Sequence, residues 1–159
     1  MKKRLSICFA LCVLVVSCTD DYKDMIVGTW NFESVTQRSM IEGVQSEHTF
    51  FADRDTISKI TFKGDGSLSG NWCGVNTQVV GPNEEYVLAV TQLYWNHYDI
   101  SEERIIFKDD RGHSDKYIIK SLTKSKMVFL SPSYDITLFD SSETGLNGTM
   151  QMIYTLKKK

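Results

Sequence analysis

Past its first eighteen residues this chain has almost no cysteine, almost no proline and no surplus of positive charge. Four cysteines occur in 159 residues, and Cys8, Cys12 and Cys18 all lie at the N-terminus. Cys73 is left alone, and one thiol makes neither an intramolecular disulfide nor a zinc site. An apolar core must therefore hold the domain together. Pro82 and Pro132 are the only prolines, so long stretches keep the N–H donors that strands need. The formal net charge is −2, which gives no electrostatic footprint for nucleic acid. Beyond residue 18 no stretch sustains the 3.6-residue apolar stripe of an amphipathic helix.

The N-terminus has what the remainder lacks. Lys2, Lys3 and Arg4 form a basic head, and an apolar run follows from Leu5 to Val16. That run is twelve residues long, well short of the roughly 20 that a spanning helix needs. A basic head, a short apolar stretch and a small residue before the cut describe a secretory signal. Val15-Val16-Ser17-Cys18 resembles the lipobox of bacterial lipoproteins, in which the Cys is diacylated and becomes the new N-terminus. The resemblance implies a cleaved signal peptide over residues 1–17. It also implies a lipidated Cys18 that holds the protein to the bilayer through palmitate-type acyl chains. The chain from Cys18 has 142 residues, one domain's worth, with 15 basic and 20 acidic residues and a net charge of −5. An anionic lipid surface would repel it, so attachment falls to the acyl chains.

Residues 18–27 read as the lipidated Cys and a polar tether, with at most a helical turn over 22–27. Asp20, Asp21 and Asp24 resemble the acidic patch that signals surface export in one Gram-negative phylum. The localisation that follows is lipid-anchored at the outer membrane, periplasmic or surface-exposed.

From Gly28 to Lys159 the pattern is that of short strands. Trp30, Phe32 and Ser34 share one face, and Ile60 and Phe62 alternate with polar neighbours. Gly64-Asp65-Gly66 makes a turn, since Gly accepts positive φ and Asp tolerates it. Leu68 to Trp72 continues beyond it, and residues 73–85, polar and Gly/Asn-rich, read as a loop. Val87 to Trp95 reads as a buried strand. Further strands are expected at Arg104 to Lys108, Tyr117 to Leu122, Lys126 to Ser131 and Tyr134 to Leu138. In the last strand Met150, Met152, Tyr154 and Leu156 point one way. Eight to ten short strands with regular turn residues predict an all-β sandwich or barrel.

Gly28-Thr29-Trp30 narrows the choice. A Gly-x-Trp opening the first strand of a small antiparallel barrel resembles lipocalins and lipocalin-like domains, in which the Trp plugs the closed end. The similarity extends through Ile60-Thr61-Phe62, the stretches from Tyr117 to Thr123 and Met127 to Leu130, and the terminal Tyr154-Thr155-Leu156. It covers residues 26–157. It implies an up-and-down β-barrel of about eight strands that binds a small apolar or amphipathic ligand, with Gly28 and Trp30 structural. No cofactor is implied.

The candidate ligand residues are Trp72, Tyr94, Trp95 and Tyr98, an aromatic wall at a barrel mouth, with Met150 and Met152 as an adaptable lining. The same side chains also suit a packed core. A non-catalytic structural lipoprotein with a filled barrel, docking an envelope protein through its loops, is therefore the rival reading. Nothing points to an enzyme. Gly66-Ser67-Leu68-Ser69-Gly70 has Leu68 where a nucleophile elbow needs Ser. Asp109, Asp110, His113 and Asp115 lack the spacing of a calcium loop, and Lys108, Arg111 and Lys116 oppose a cation there. Asp55-Thr56-Ile57 resembles an O-glycosylation acceptor, with Thr56 as the modified residue.

Overall fold

The computed structural model describes residues 19–52, 58–80, 83–139 and 145–159, so Cys18 and Thr56 lie outside it. Among the described residues one helix, α1 (Thr19–Ile26), precedes eleven strands. These are β1 (Gly28–Ile41), β2 (Val44–Phe51), β3 (Lys59–Phe62), β4 (Leu68–Val80), β5 (Asn83–Gln92) and β6 (His97–Ser101). After them come β7 (Arg104–Lys108), β8 (Ser114–Leu122), β9 (Lys126–Leu130), β10 (Tyr134–Phe139) and β11 (Gly145–Lys158). All pair antiparallel in the order β5-β4-β3-β1-β11-β9-β8-β7-β6, with β2 also on β1 and β10 also on β11.

The expected all-β antiparallel class is what is found. The expected closed barrel of about eight strands is corrected: there are eleven, and the sheet path ends openly at β5 and β6. The start of β6 returns to the β3–β4 turn, where Ser67 bridges His97. There Leu68 N–H donates to Asn96 O at 2.7 Å and Tyr98 N–H donates to Gly66 O at 2.8 Å.

The extra strands come from length. β1 and β11 each run 14 residues, about 46 Å at 3.3 Å per residue. Each outgrows a single partner. β1 pairs β3 over Gly28 to Asn31 and then β2 over Ser34 to Ile41. β11 pairs β10 over Gly145 to Met150 and β9 over Ile153 to Lys157. The near halves of β1 and β11 thus belong to the curled wrap. Their far halves form a four-stranded platform, β2-β1-β11-β10.

Two more expectations change. Residues 73–80 and 83–85 are not a loop but belong to the paired strands β4 and β5, whose ladder bonds come from the backbone and are open to Asn, Thr and Gln. β5 is not a buried strand: Val90 is exposed, and Trp95 lies beyond the strand's end. In β1 the ladder with β11 slips between Phe32 and Ser34, a bulge at Glu33. The core-facing set is therefore Trp30, Phe32 and then Val35, and Ser34 does not share their face.

Every residue in the described buried core lies between Ile26 and Leu156, so the segment from Thr19 onward carries its own core. Its centre is Trp72. Phe32, Trp95, Phe107, Tyr117, Phe129 and Tyr154 all surround this ring with centroids 4.9–6.0 Å away. Edge-to-face contacts dominate, the arrangement that the ring quadrupole favours. Gly70, at φ +123°, lets β4 cross β3 closely, since a Cβ there would strike the Lys59 carbonyl.

Candidate functional site

One end of the wrap is stoppered. Trp30 is fully buried, and its Nε1–H donates to the Ile26 carbonyl at 2.7 Å. That bond ties the ring to the last turn of α1, whose Ile26 is also fully buried. Gly28 and Trp30 open β1 at this end, and the Trp30 ring fills it.

The platform beyond the wrap holds an open cavity of about 560 Å³. Its residues follow from strand alternation. Past the bulge, β1 turns Gln37, Ser39 and Ile41 to the cavity, and β2 places Ser46 opposite Ser39 and His48 opposite Gln37. β11 presents Met150 opposite Ser39 and Met152 opposite Gln37. Ile136 and Thr137 of β10 and Val75 of β4 complete the described lining. The two sides differ in chemistry. The β1–β2 side is polar, and the Ser39 and Ser46 hydroxyls share a hydrogen bond of 2.8 Å. The β10, β11 and β4 side is mostly apolar, with two flexible thioethers. Below the methionines the same face continues into Val35 and Tyr154, which are buried. The aromatic core is the floor.

The predicted ligand residues separate. Met150 and Met152 line the cavity. Trp72 does not; it is the hub of the core, 5.0 Å from Trp95. Trp95 also stacks on Phe107 at 5.3 Å. Tyr98 packs edge-on against Phe62 and donates its hydroxyl to Lys63 O at 2.8 Å, in the groove beside α1. Tyr94 is 80 % exposed and borders the turn containing Asp109, Asp110 and Arg111. These four aromatics do not make one wall. Gln37, Ser39, Ile41, Ser46, His48, Val75, Ile136 and Thr137 escaped the sequence reading. β2 lacks the apolar alternation that marks a strand, and polar cavity residues resemble solvent-facing ones.

Titratable groups elsewhere have structural surroundings. Asp109 accepts hydrogen bonds from the Arg111 and His113 backbone N–H groups at 2.9 and 2.8 Å. Its bond with the His113 ring holds its carboxyl below the usual range. Cys73 is buried, and desolvation pushes its thiol up to about 11, away from nucleophilic character. Burial likewise raises the Tyr117 and Tyr154 hydroxyls. Among the described residues no cluster of three His, Cys, Asp or Glu could hold a metal.

An antiparallel sheet curled about an aromatic core, stoppered at one end and bearing a cavity beyond the other, defines a small all-β protein. The family pattern described as a lipocalin-like domain matches residues 26–129, and the chain belongs to that family. The match spans β1 through most of β9; β10 and β11, which carry the methionines, lie beyond it. No curated protein and no solved structure matches the chain.

Proposed function

We propose that this protein is a lipid-anchored, lipocalin-like binder of a small amphipathic molecule, held in the platform cavity rather than in the interior of the wrap. The carrying observation is the cavity itself. It is about 560 Å³, within the roughly 300–1,000 Å³ of small-molecule sites, and one side is apolar while the other hydrogen-bonds. An apolar tail lies along Met150, Met152, Ile136 and Val75. A polar group meets Gln37, Ser39, Ser46 and His48.

The anchoring half of the proposal rests on the lipobox ending at Cys18. α1 starts at Thr19, directly after it, and packs at the stoppered end through Ile26. An acyl anchor there, at an outer membrane, leaves the cavity mouth turned away from the lipid. No covalent chemistry is assigned to the protein.

Native mass spectrometry of residues 19–159, purified from the producing organism, tests the binding. A co-purified small molecule lost from a variant with a filled cavity supports it. An empty protein that also fails to take up an apolar fluorescent probe removes it. The filled-barrel docking reading would then stand, since the wrap interior is packed by its own aromatics. Phe51, 74 % exposed at the β2 edge, would be the first contact to examine.

A further inference from the structure

We infer that the cavity selects amphiphiles with a neutral, hydroxyl-bearing headgroup, of the glycerol or sugar type, over those ending in a carboxylate. This rests on the binding reading above and specifies its ligand class.

The argument is an inventory of the polar side. It supplies an amide from Gln37, hydroxyls from Ser39, Ser46 and Thr137, and the ring of His48. Each hydroxyl has one O–H and two lone pairs. The shared hydrogen bond between Ser39 and Ser46 leaves both oxygens with capacity to spare. Thr137 donates to Asn147 Oδ1 at 3.1 Å, which leaves its oxygen free to accept. Donors and acceptors thus alternate along the wall, and a polyol needs both. A carboxylate offers acceptors only.

A carboxylate also needs a cation, and the described lining contains no lysine or arginine. Arg38 is the nearest in sequence. It falls on the opposite face of β1, where its Nε donates to Glu47 Oε1 at 2.6 Å. His48 is the one described lining residue with a basic side chain, and it is exposed. A carboxylate entering the cavity would lose part of its water without gaining a partner charge. A neutral hydroxyl head exchanges water hydrogen bonds for protein ones at little net cost.

The test is a paired titration of residues 19–159 with monodecanoin and decanoate, two probes with one acyl chain and different heads. It is run by calorimetry at pH 8, well above the ordinary carboxylate range, so that decanoate is charged. Monodecanoin should bind at least tenfold more tightly. Equal binding, or tighter binding of decanoate, overturns the headgroup inference and leaves the binding reading intact. Failure of both probes counts against both readings. His48→Lys supplies the missing cation at an exposed position, so folding is not at stake. It should narrow or invert the preference by raising decanoate affinity relative to monodecanoin. An unchanged ratio would show that charge at this wall does not govern selection and would overturn the argument.

Discussion

Lys158 stands directly across the β1–β11 ladder from Trp30, with its ammonium 5.1 Å from the centre of the indole ring. The same ammonium donates to the Met25 carbonyl at 3.0 Å. Three parts of the chain, α1, β1 and β11, therefore meet on one ring. Gly28 is part of the arrangement. Its φ is +136°, and a Cβ there would come within 2.6 Å of Lys158 Cε. Only a residue without a side chain lets the lysine stem lie where it does.

Removing the ring should be the most damaging change at this end. Trp30→Ala is expected to cost about 3–5 kcal/mol, the usual range for large aromatic truncations in cores. Lys158→Met keeps the stem but loses the cation over the ring and the bond to Met25, about 1–2 kcal/mol together. Urea unfolding of residues 19–159 measures both. A Trp30→Ala protein as stable as its parent would remove the stopper role.

Much of this end was legible because its signals are local. Gly28-Thr29-Trp30 is contiguous, Gly64-Asp65-Gly66 turns as expected, and Met150 to Leu156 alternate without interruption. What was hidden depends on contacts across the fold. β2 is exposed at nearly every position, so it shows no apolar alternation. Its one local signal is the Glu42–Gly43 turn, with φ of 50° and 82°. Positive φ at both central residues is the geometry of a tight hairpin, and Glu is a poor advertisement for it. Tyr94 and Trp95 are adjacent in sequence and end up in different environments, one in solvent and one on the core. Closeness along the chain therefore gave a cluster that the fold does not keep. The cavity was hardest to foresee, because its polar side needs β2 to exist.

Burial of ionisable groups predicts a limit at high pH. The Cys73 thiol moves from its ordinary 9.0 to about 11, and the Tyr117 and Tyr154 hydroxyls also rise above their ordinary values. All three are neutral when protonated. As pH climbs through 9 and 10 the unfolded chain releases these protons first, while the native state still holds them. The unfolded state then binds fewer protons, so stability falls with rising pH. The contribution is complete below pH 9 and is lost above it. Thermal unfolding from pH 7 to 11 should show Tm dropping chiefly above pH 9. Cys73→Ala should flatten the thiol's part of the drop, and a Tm that does not change over this range would contradict the assigned burial.

Lipidation is tested apart from folding. Cys18→Ala should abolish acylation and leave an uncleaved or soluble product, because the acyl chains supply the anchoring at about 0.8 kcal/mol per buried CH₂. Fractionation of cells expressing the full chain decides it. If the variant still partitions with membrane as the parent does, the anchor lies elsewhere.

The cavity makes the last prediction, and two aromatic positions serve as its controls. Met152 is half-buried on the cavity side of β11, opposite Gln37. Replacing it with Trp adds bulk into open space, so the overpacking penalty of a closed core, about 1–3 kcal/mol, should be largely escaped. Met152→Trp should therefore lower affinity for an apolar probe at least tenfold while Tm stays within a few degrees. Tyr94→Ala should change neither, since Tyr94 is exposed beside the turn after β7 and outside the cavity lining. Trp72→Ala should do the reverse of Met152→Trp. It empties the centre of the aromatic core and costs about 3–5 kcal/mol of stability. It also adds space to the interior of the wrap at the centre of the aromatic cluster. Binding by the parent that survives Met152→Trp and is lost with Tyr94→Ala would move the ligand from the platform to the Asp109–Arg111 turn. Binding that vanishes with Met152→Trp alone fixes it between β1, β2, β10 and β11.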